Sequence, residues 1–423
     1  RYIKTPRRKM IFVTSFLVFC AALFLALSWI GFIGALGTKF MSVINPFERL
    51  FYPLIESVQE HRPSAWGSFY YDFGIGIFFI PVGLFFAAQN PTNRNLFLII
   101  FGLTSVYFAG SMVRLSLLMA PAFCLLWALA LTRILRPFIT VMKEAPMIPR
   151  RKIGFQTHVG KEFSGAFLIV MLLLLTFTFV LPSPRSIYPR VFDHAYAPVT
   201  IAAGSMPLKP DETVTDWFYA LKWMRINEQV KVVASWWDYG YWITTIGNKT
   251  TLADNGTLNM TQIEKVAEMF LSNETKAIEF LKQYDVTHVL IFITFQNDET
   301  GTDIGWGEES KWRWMARISE KWTLLNDTGY GSSSLGTDWV DTNNDGQKTS
   351  DELISNDIGK STVIYKMMQL TKQDVGSSFG EQLSDTSKVQ FEQHFSLVYT
   401  SYRDSQKAYG GAYGVVGIFE VEY

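Results

Sequence analysis

Long apolar runs without charge punctuate the first 190 or so residues of the chain and are absent from the remainder. Met10 to Thr38 contains no Asp, Glu, Lys or Arg. At about 1.5 Å of helical rise per residue, that run is long enough to cross the ~30 Å hydrocarbon core of a bilayer. Phe73 to Asn93, Asn95 to Val113, Leu115 to Thr132 and Phe163 to Leu181 are equally free of charge. The pattern predicts five spanning helices, near 10–36, 73–93, 95–113, 115–132 and 163–181, with a long loop over 39–72. The first run is too long, and is followed by too many others, to be a secretory signal. An odd number of crossings puts the two ends of the chain on opposite sides.

After Leu181 the stretch "LPSPRSIYPR" reads as a proline-rich exit from the membrane, and the periodicity becomes mixed. Val230 to Ser235 and Thr287 to Thr294 are rich in β-branched residues and predict buried strands. Residues 261–284 predict a helix: Ile263, Val266, Ala267 and Phe270 fall on one face, and Thr261 with Glu264 fits a capping box. The expected fold is a polytopic α-helical membrane domain over 1–188, followed by a mixed α/β extracytoplasmic domain over 189–423.

Charge sets the orientation. Arg1, Lys4, Arg7, Arg8 and Lys9 precede the first run, and Arg133, Arg136, Lys143, Arg150, Arg151, Lys152 and Lys161 lie before the last. The positive-inside rule puts both groups in the cytoplasm, so the 39–72 loop and everything after Leu181 fall outside. Net charge is +0 with no block of one sign, so composition offers no reason to expect a nucleic-acid partner. Both cysteines, Cys20 and Cys124, lie in apolar runs and read as small packing residues rather than a disulfide.

Several clusters carry chemistry. In "SWWDYGYWITTIGNKTTLADNGTLNMT", residues 235–261, Trp236, Trp237 and Asp238 come directly off the end of an expected strand. Indole N–H only donates and carboxylate only accepts, so together they complement a hydroxyl; equally, the tryptophans fit a core and Asp238 a turn. Asn248, Asn255, Asn259, Asn273 and Asn326 each open an Asn-x-Thr triplet, the acceptor signature of N-glycosylation. Thr261 reads as spent on the helix cap, and Asn273 as the cap of the following helix. In "DTNNDGQKTSDE", Asp341, Asn343, Asp345, a carbonyl at Gln347 and Glu352 have the complete spacing of a Ca²⁺ loop. A polar surface loop is the alternative, and Lys348 stands where such loops bury an apolar residue. Arg114 interrupts the apolar "SMVRLSLLMAP". A charge at mid-bilayer costs roughly 2.5–3.5 kcal/mol, so it needs a partner or an interfacial place.

"WWDYG", residues 236–240, resembles the signature of the catalytic subunit of oligosaccharyltransferase, the enzyme of protein N-glycosylation. Two further stretches fit in order. "ESVQEH", residues 56–61, is similar to the family's S-V-S-E-H loop, and "EESKWRWM", residues 308–315, resembles its D-x-x-K-x-x-x-M element, with Glu308 in place of Asp. The resemblance implies a GT-C membrane domain with an α/β domain, of which this chain looks like the carboxy-terminal half. It further implies inverting transfer of an oligosaccharide from a polyprenyl phosphate or pyrophosphate carrier to the Asn of Asn-x-Ser/Thr in acceptor polypeptides.

By that resemblance Trp236, Trp237 and Asp238 read the sequon hydroxyl, supported by Lys311 and Met315. Glu60 helps bind a catalytic Mn²⁺ or Mg²⁺ and the acceptor amide, and Arg114 faces the donor's phosphates, unless it simply reaches the interface. Asn255 is the expected glycosylated position. No match to the family's other acidic metal ligands precedes Glu60, so the chain alone is expected to be inactive without the amino-terminal membrane half. The soluble domain is expected on the cell surface of an archaeon or in the endoplasmic-reticulum lumen of a eukaryote. Two other classes compete: a membrane-anchored carbohydrate-binding scaffold, which needs neither Glu60 nor a metal, and a lipid-linked-sugar transferase with another acceptor.

Overall fold

The computed structural model describes residues 6–30, 41–143, 160–181, 189–192, 215–299, 301–320, 332–339, 353–405 and 411–423. The calcium-like loop at 341–352 and the Asn326 triplet lie outside them. The chain divides into two compact units, one over 42–213 and one combining 1–41 with 214–423.

Helix α1 runs Pro6–Trp29. The first expected span is thus described only as far as residue 30. Four helical stretches among the described residues are long and apolar enough to cross a membrane: Trp66–Gln89, Asn93–Ser111, Val113–Lys143 and Lys161–Val180. The chain is therefore read as an integral membrane protein. The first of the four is α2 (Trp66–Phe73) and α3 (Phe79–Gln89), joined by a 3-10 turn over Gly74–Phe78. It starts well before the expected Phe73, because the one charge within it, Asp72, does not interrupt a helix. Then follow α4 (Asn93–Ser111), α5 (Ser116–Lys143) and α6 (Lys161–Val180). The span expected to end at Thr132 continues to Lys143, so Arg133, Arg136 and Lys143 sit on a helix rather than in a loop. Basic residues have good helix propensity, and apolar residues between them extend the face.

Within 42–213 the core is Ile77, Ile80, Ala109, Met119, Phe123 and Leu126, with Phe73, Leu98 and Trp127 packed against it. Glycines let the helices meet. A Cβ on Gly83 would collide with the Leu126 carbonyl, and one on Gly102 would lie 2.8 Å from Leu126 Cδ1. Small residues at such crossings give membrane helices close backbone approach and the dispersion contacts that hold them together. Large apolar side chains such as Phe97, Leu103 and Leu172 face outward, as lipid requires. Cys20 and Cys124 are free and exposed on their helices.

The second unit begins its α/β part with α7 (Asp216–Ile226), β1 (Val232–Ser235), α8 (Gly240–Thr245) and β2 (Thr250–Thr251). The expected single helix over 261–284 is two, α9 (Met260–Phe270) and α10 (Glu274–Lys282). Its cap is Asn259, whose side chain accepts from Gln262 N at 3.0 Å, so the Thr261 capping box does not form. The helix begins one residue before Thr261, and Asn is among the strongest N-cap residues. Asn273 caps α10 as expected, accepting from Lys276 N. Ile263, Val266, Ala267 and Phe270 form the buried face of α9.

Next come β3 (His288–Gln296), α11 (Glu308–Ile318), and the small antiparallel sheet of β4 (Ser332–Ser334), β5 (Thr337–Trp339) and β6 (Leu353–Ser355). Then follow α12 (Val363–Val375), β7 (Phe395–Thr400) and β8 (Ala412–Val421). The main sheet has the order β2-β1-β3-β8-β7, with β1 parallel to β2 and β3 and β8 antiparallel to β3 and β7. Strand β3 is buried along all but its last residue, which explains its unbroken apolar run.

Candidate active site

Strands β1 and β3 run side by side in one direction, and open parallel sheets bind ligands in the crevice beyond the carboxyl ends of such strands. Two motifs converge there. The chain leaves β1 at Ser235, turns through a 3-10 turn over Trp237–Tyr239 and enters α8 at Gly240. Gly240 is dictated by packing, since a Cβ there would collide with the Ala253 carbonyl and lie 2.5 Å from Asp254 Cα. Helix α11 brings the second motif. Lys311 Nζ lies 2.7 Å from Asp238 Oδ2, donates to Tyr239 Oη at 2.9 Å, and stands 4.4 Å from the centre of the Tyr239 ring.

Burial works against the Lys311 ammonium, but Asp238 and Glu308 outweigh it and hold its pKa above the ordinary lysine value. Tyr239 is buried, and burial with Glu308 and Asp238 beside it pushes its phenol upward, so it stays neutral. Trp236 is 2 % exposed and packs against Trp237 with ring centroids 6.1 Å apart. The Trp237 indole Nε1 is buried and has no hydrogen-bond partner among the described residues. A buried N–H left unmade costs about 1–3 kcal/mol, and the next residue in the chain, Asp238, carries the carboxylate paired with Lys311. Met315, one turn beyond Lys311, is fully buried.

The acidic start of α11 is anchored in the sheet. Glu308 Oε2 accepts from Phe292 N at 2.7 Å. Glu309 Oε1 accepts from the backbone of Gly305, Trp306 and Gly307 and from the Thr294 hydroxyl. Burial raises the Glu309 pKa although these donors pull the other way. Burial likewise pushes the Glu308 carboxyl up to about 8, opposed by Lys311 and the Phe292 N–H. The acid is thus held protonated in the folded chain over a range where the unfolded chain ionises. Its contribution to stability is fully present below about 4.5, the ordinary glutamate value, and is lost as pH rises to about 8. Glu308→Gln keeps the bond to Phe292 N and cannot ionise. Its thermal midpoint in detergent should vary less than the parent's between pH 5 and 8 and exceed it at pH 8; parallel curves would exclude Glu308 as the source.

In the unit 42–213, Glu60 lies in a 3-10 turn over Gln59–His61, and Arg114 in another over Val113–Leu115 at the break between α4 and α5. Arg114 is therefore at the end of two spans and not in the middle of one. Arg114 Nη2 is 3.8 Å from Glu60 Oε2, with the two side chains 54 % and 23 % exposed. Backbone bonds hold the turns together, Val113 N to the Arg62 carbonyl at 2.9 Å and Ser64 N to the Gly110 carbonyl at 3.1 Å. Arg49, which no sequence motif singles out, fastens the same place. Its buried guanidinium donates to the carbonyls of Ser42, His61 and Ser111. A lone arginine in the otherwise uncharged stretch between Met41 and Glu56, apart from Glu48, is the one signal that could have found it.

Among the described residues no group of three or more His, Cys, Asp or Glu side chains could hold a metal ion. Glu60 offers one carboxylate, facing a guanidinium, and so fits as a single ligand rather than as a divalent-cation site.

Two family models match. Residues 7–127 match "Oligosaccharyl transferase STT3, N-terminal", and residues 229–298 match "STT3/PglB/AglB core domain". The STT3 subunit of the dolichyl-diphosphooligosaccharide–protein glycosyltransferase of Dictyostelium discoideum is 34% identical over 319 residues, 74% of this chain and 42% of that protein. The chain belongs to the STT3 family of oligosaccharyltransferase catalytic subunits. The STT3B subunit of Oryza sativa subsp. japonica is 33% identical over 299 residues, covering 68% of this chain and 41% of that one. The chain thus spans about two fifths of the length of these STT3 relatives.

Among solved structures, the fold is similar to that of the Archaeoglobus fulgidus archaeal oligosaccharyltransferase AglB in complex with an inhibitory peptide and a dolichol-phosphate. The TM-score is 0.53 at 17% identity, covering 92% of this chain and 46% of that one. The A. fulgidus oligosaccharyltransferase tethered to an acceptor peptide containing the NVT sequon gives 0.51 at 16% identity, covering 96% and 56%. These likenesses establish the fold class expected from sequence, a membrane helical region with a mixed-sheet domain. STT3 proteins are metal-dependent as a family.

Proposed function

We propose that this chain takes part in transferring an oligosaccharide from a dolichyl-type phosphate or pyrophosphate carrier to the Asn of Asn-x-Ser/Thr sequons. The carrying observation is the turn at the end of β1, where Trp237, whose buried indole N–H has no partner among the described residues, is followed in the chain by Asp238, whose carboxylate meets Lys311. A donor and an acceptor set together complement a hydroxyl. The relatives named as glycosyltransferase subunits, and the neighbours solved with acceptor peptide or with dolichol-phosphate, support the same reading.

In this reading Trp236, Trp237 and Asp238 hold the Thr or Ser hydroxyl, Lys311 fixes Asp238, and Met315 supports the face of α11 behind it. Glu60 orients the acceptor carboxamide and would give one oxygen to a divalent cation, Mn²⁺ or Mg²⁺, which when bound would stabilise charge on the departing phosphate. The remaining ligands come from the amino-terminal membrane half. Arg114 pairs with donor phosphate, for which a guanidinium fork is suited. The amide nitrogen attacks the anomeric carbon as the bond to the carrier's phosphate oxygen breaks, with inversion, and the nitrogen gives up one proton. The soluble domain faces outward, where Asn255 and others of the Asn-x-Thr triplets meet the same modification. The 341–352 loop takes a structural Ca²⁺.

The test uses the native assembly containing this chain, a lipid-linked oligosaccharide, and Asn-x-Thr or Asn-x-Ala peptides. Transfer to the first alone, lost with EDTA and restored by Mn²⁺, is expected. No transfer by verified full-length, metal-loaded protein would favour a carbohydrate-binding scaffold.

A further inference from the structure

The loop that follows β2 reaches back to the turn that follows β1, and the Asn255 side chain links the two. Asn255 Nδ2 donates to the Asp238 carbonyl at 2.7 Å, and Asn255 Oδ1 accepts from Tyr241 N at 3.0 Å. One planar amide therefore spans the turn from the residue that carries the carboxylate to the second residue of α8. The approach depends on the missing Cβ of Gly240. The loop is fixed from its own side as well, with Gly256 N donating to Asp254 Oδ1 at 2.8 Å and Thr257 N to the Asp254 carbonyl at 3.1 Å. Thr257 holds a left-handed φ of 47°. A β-branched residue adopts that conformation only at a cost and only where its surroundings impose it.

Asn255 is itself exposed, so it adds nothing to a core. What it does is set the backbone of Asp238, and hence the line along which the carboxylate meets Lys311 at 2.7 Å. We infer that Asn255 is a positioning residue for the sequon-reading carboxylate, acting through its amide whether or not that amide carries a glycan. This rests on the reading of Asp238 given above.

Two variants in the intact assembly separate the roles. Thr257→Ala destroys the acceptor triplet and keeps the amide; Asn255→Ala removes both. Amide hydrogen exchange of the segment 236–245, followed by mass spectrometry, should speed up about threefold to tenfold in Asn255→Ala, the loss of one or two ordinary hydrogen bonds, and stay at the parent rate in Thr257→Ala. In transfer assays, Asn255→Ala should raise KM for an Asn-x-Thr peptide by about threefold to tenfold with kcat little changed, and lower the preference for Thr over Ser. Thr257→Ala should match the parent. Unchanged exchange in Asn255→Ala, or equal kinetic losses in the two variants, overturns the positioning role. A parent assembly that transfers nothing overturns the proposed function instead, and the exchange result still decides for or against Asn255.

Discussion

Asp238→Ala should lower kcat/KM for an Asn-x-Thr peptide by about 10- to 100-fold in the full assembly, the equivalent of one or two charge-assisted hydrogen bonds. Discrimination for Thr at the third sequon position should go with it. Two effects combine. The substitution removes the proposed acceptor of the sequon hydroxyl, and it strips Lys311 of its 2.7 Å counter-charge while the ammonium stays above the Tyr239 ring. Removing one partner of a largely buried pair is more damaging than removing both. Asp238→Ala with Lys311→Met should therefore recover thermal stability relative to Asp238→Ala alone, yet recover no discrimination for Thr. Peptide kinetics and thermal midpoints of the two variants check this. A double variant that again prefers Thr would show that Asp238 does not read the hydroxyl.

The parts of this chain governed by local chemistry are legible in its sequence. Membrane spans announce themselves by length and lack of charge, and β3 by an unbroken apolar run buried on both faces. Boundaries are less legible where one residue type serves two purposes. Arg133 and Arg136 read as loop by charge but are good helix formers, and α5 runs through them. Asn259 opens an acceptor triplet, and its side-chain oxygen also caps α9.

At the site, sequence motifs single out Asp238 and Lys311 separately, 73 positions apart, and only the parallel pairing of β1 with β3 makes them neighbours. Tyr239, Glu308 and Asn255 acquire their parts through the same non-local contacts. Nothing in a linear pattern distinguishes an amide that bridges a turn from one that waits on the surface. Arg49 is the clearest case. Its three carbonyl partners come from three separated segments, and no spacing rule joins residues 42, 61 and 111.

Glu60→Gln should reduce kcat by about a hundredfold, a few kcal/mol of transition-state stabilisation, while KM for the acceptor peptide stays within about twofold. The geometry makes this a test of chemistry rather than of folding. The Glu60 turn is fixed by backbone bonds and by the Arg49 guanidinium, none of which uses the Glu60 side chain. The ion pair with Arg114 is long, at 3.8 Å, and half exposed. Such pairs contribute about 0–1 kcal/mol, so the variant should melt close to the parent. The amide side chain keeps the shape and one oxygen acceptor but loses the charge, so the Mn²⁺ concentration giving half-maximal transfer should rise. Arg114→Gln should instead weaken the lipid-linked donor and leave the Mn²⁺ requirement alone. Equal, small losses in both variants, or a fall in peptide affinity with kcat intact, would assign Glu60 and Arg114 to holding the loop and not to the reaction.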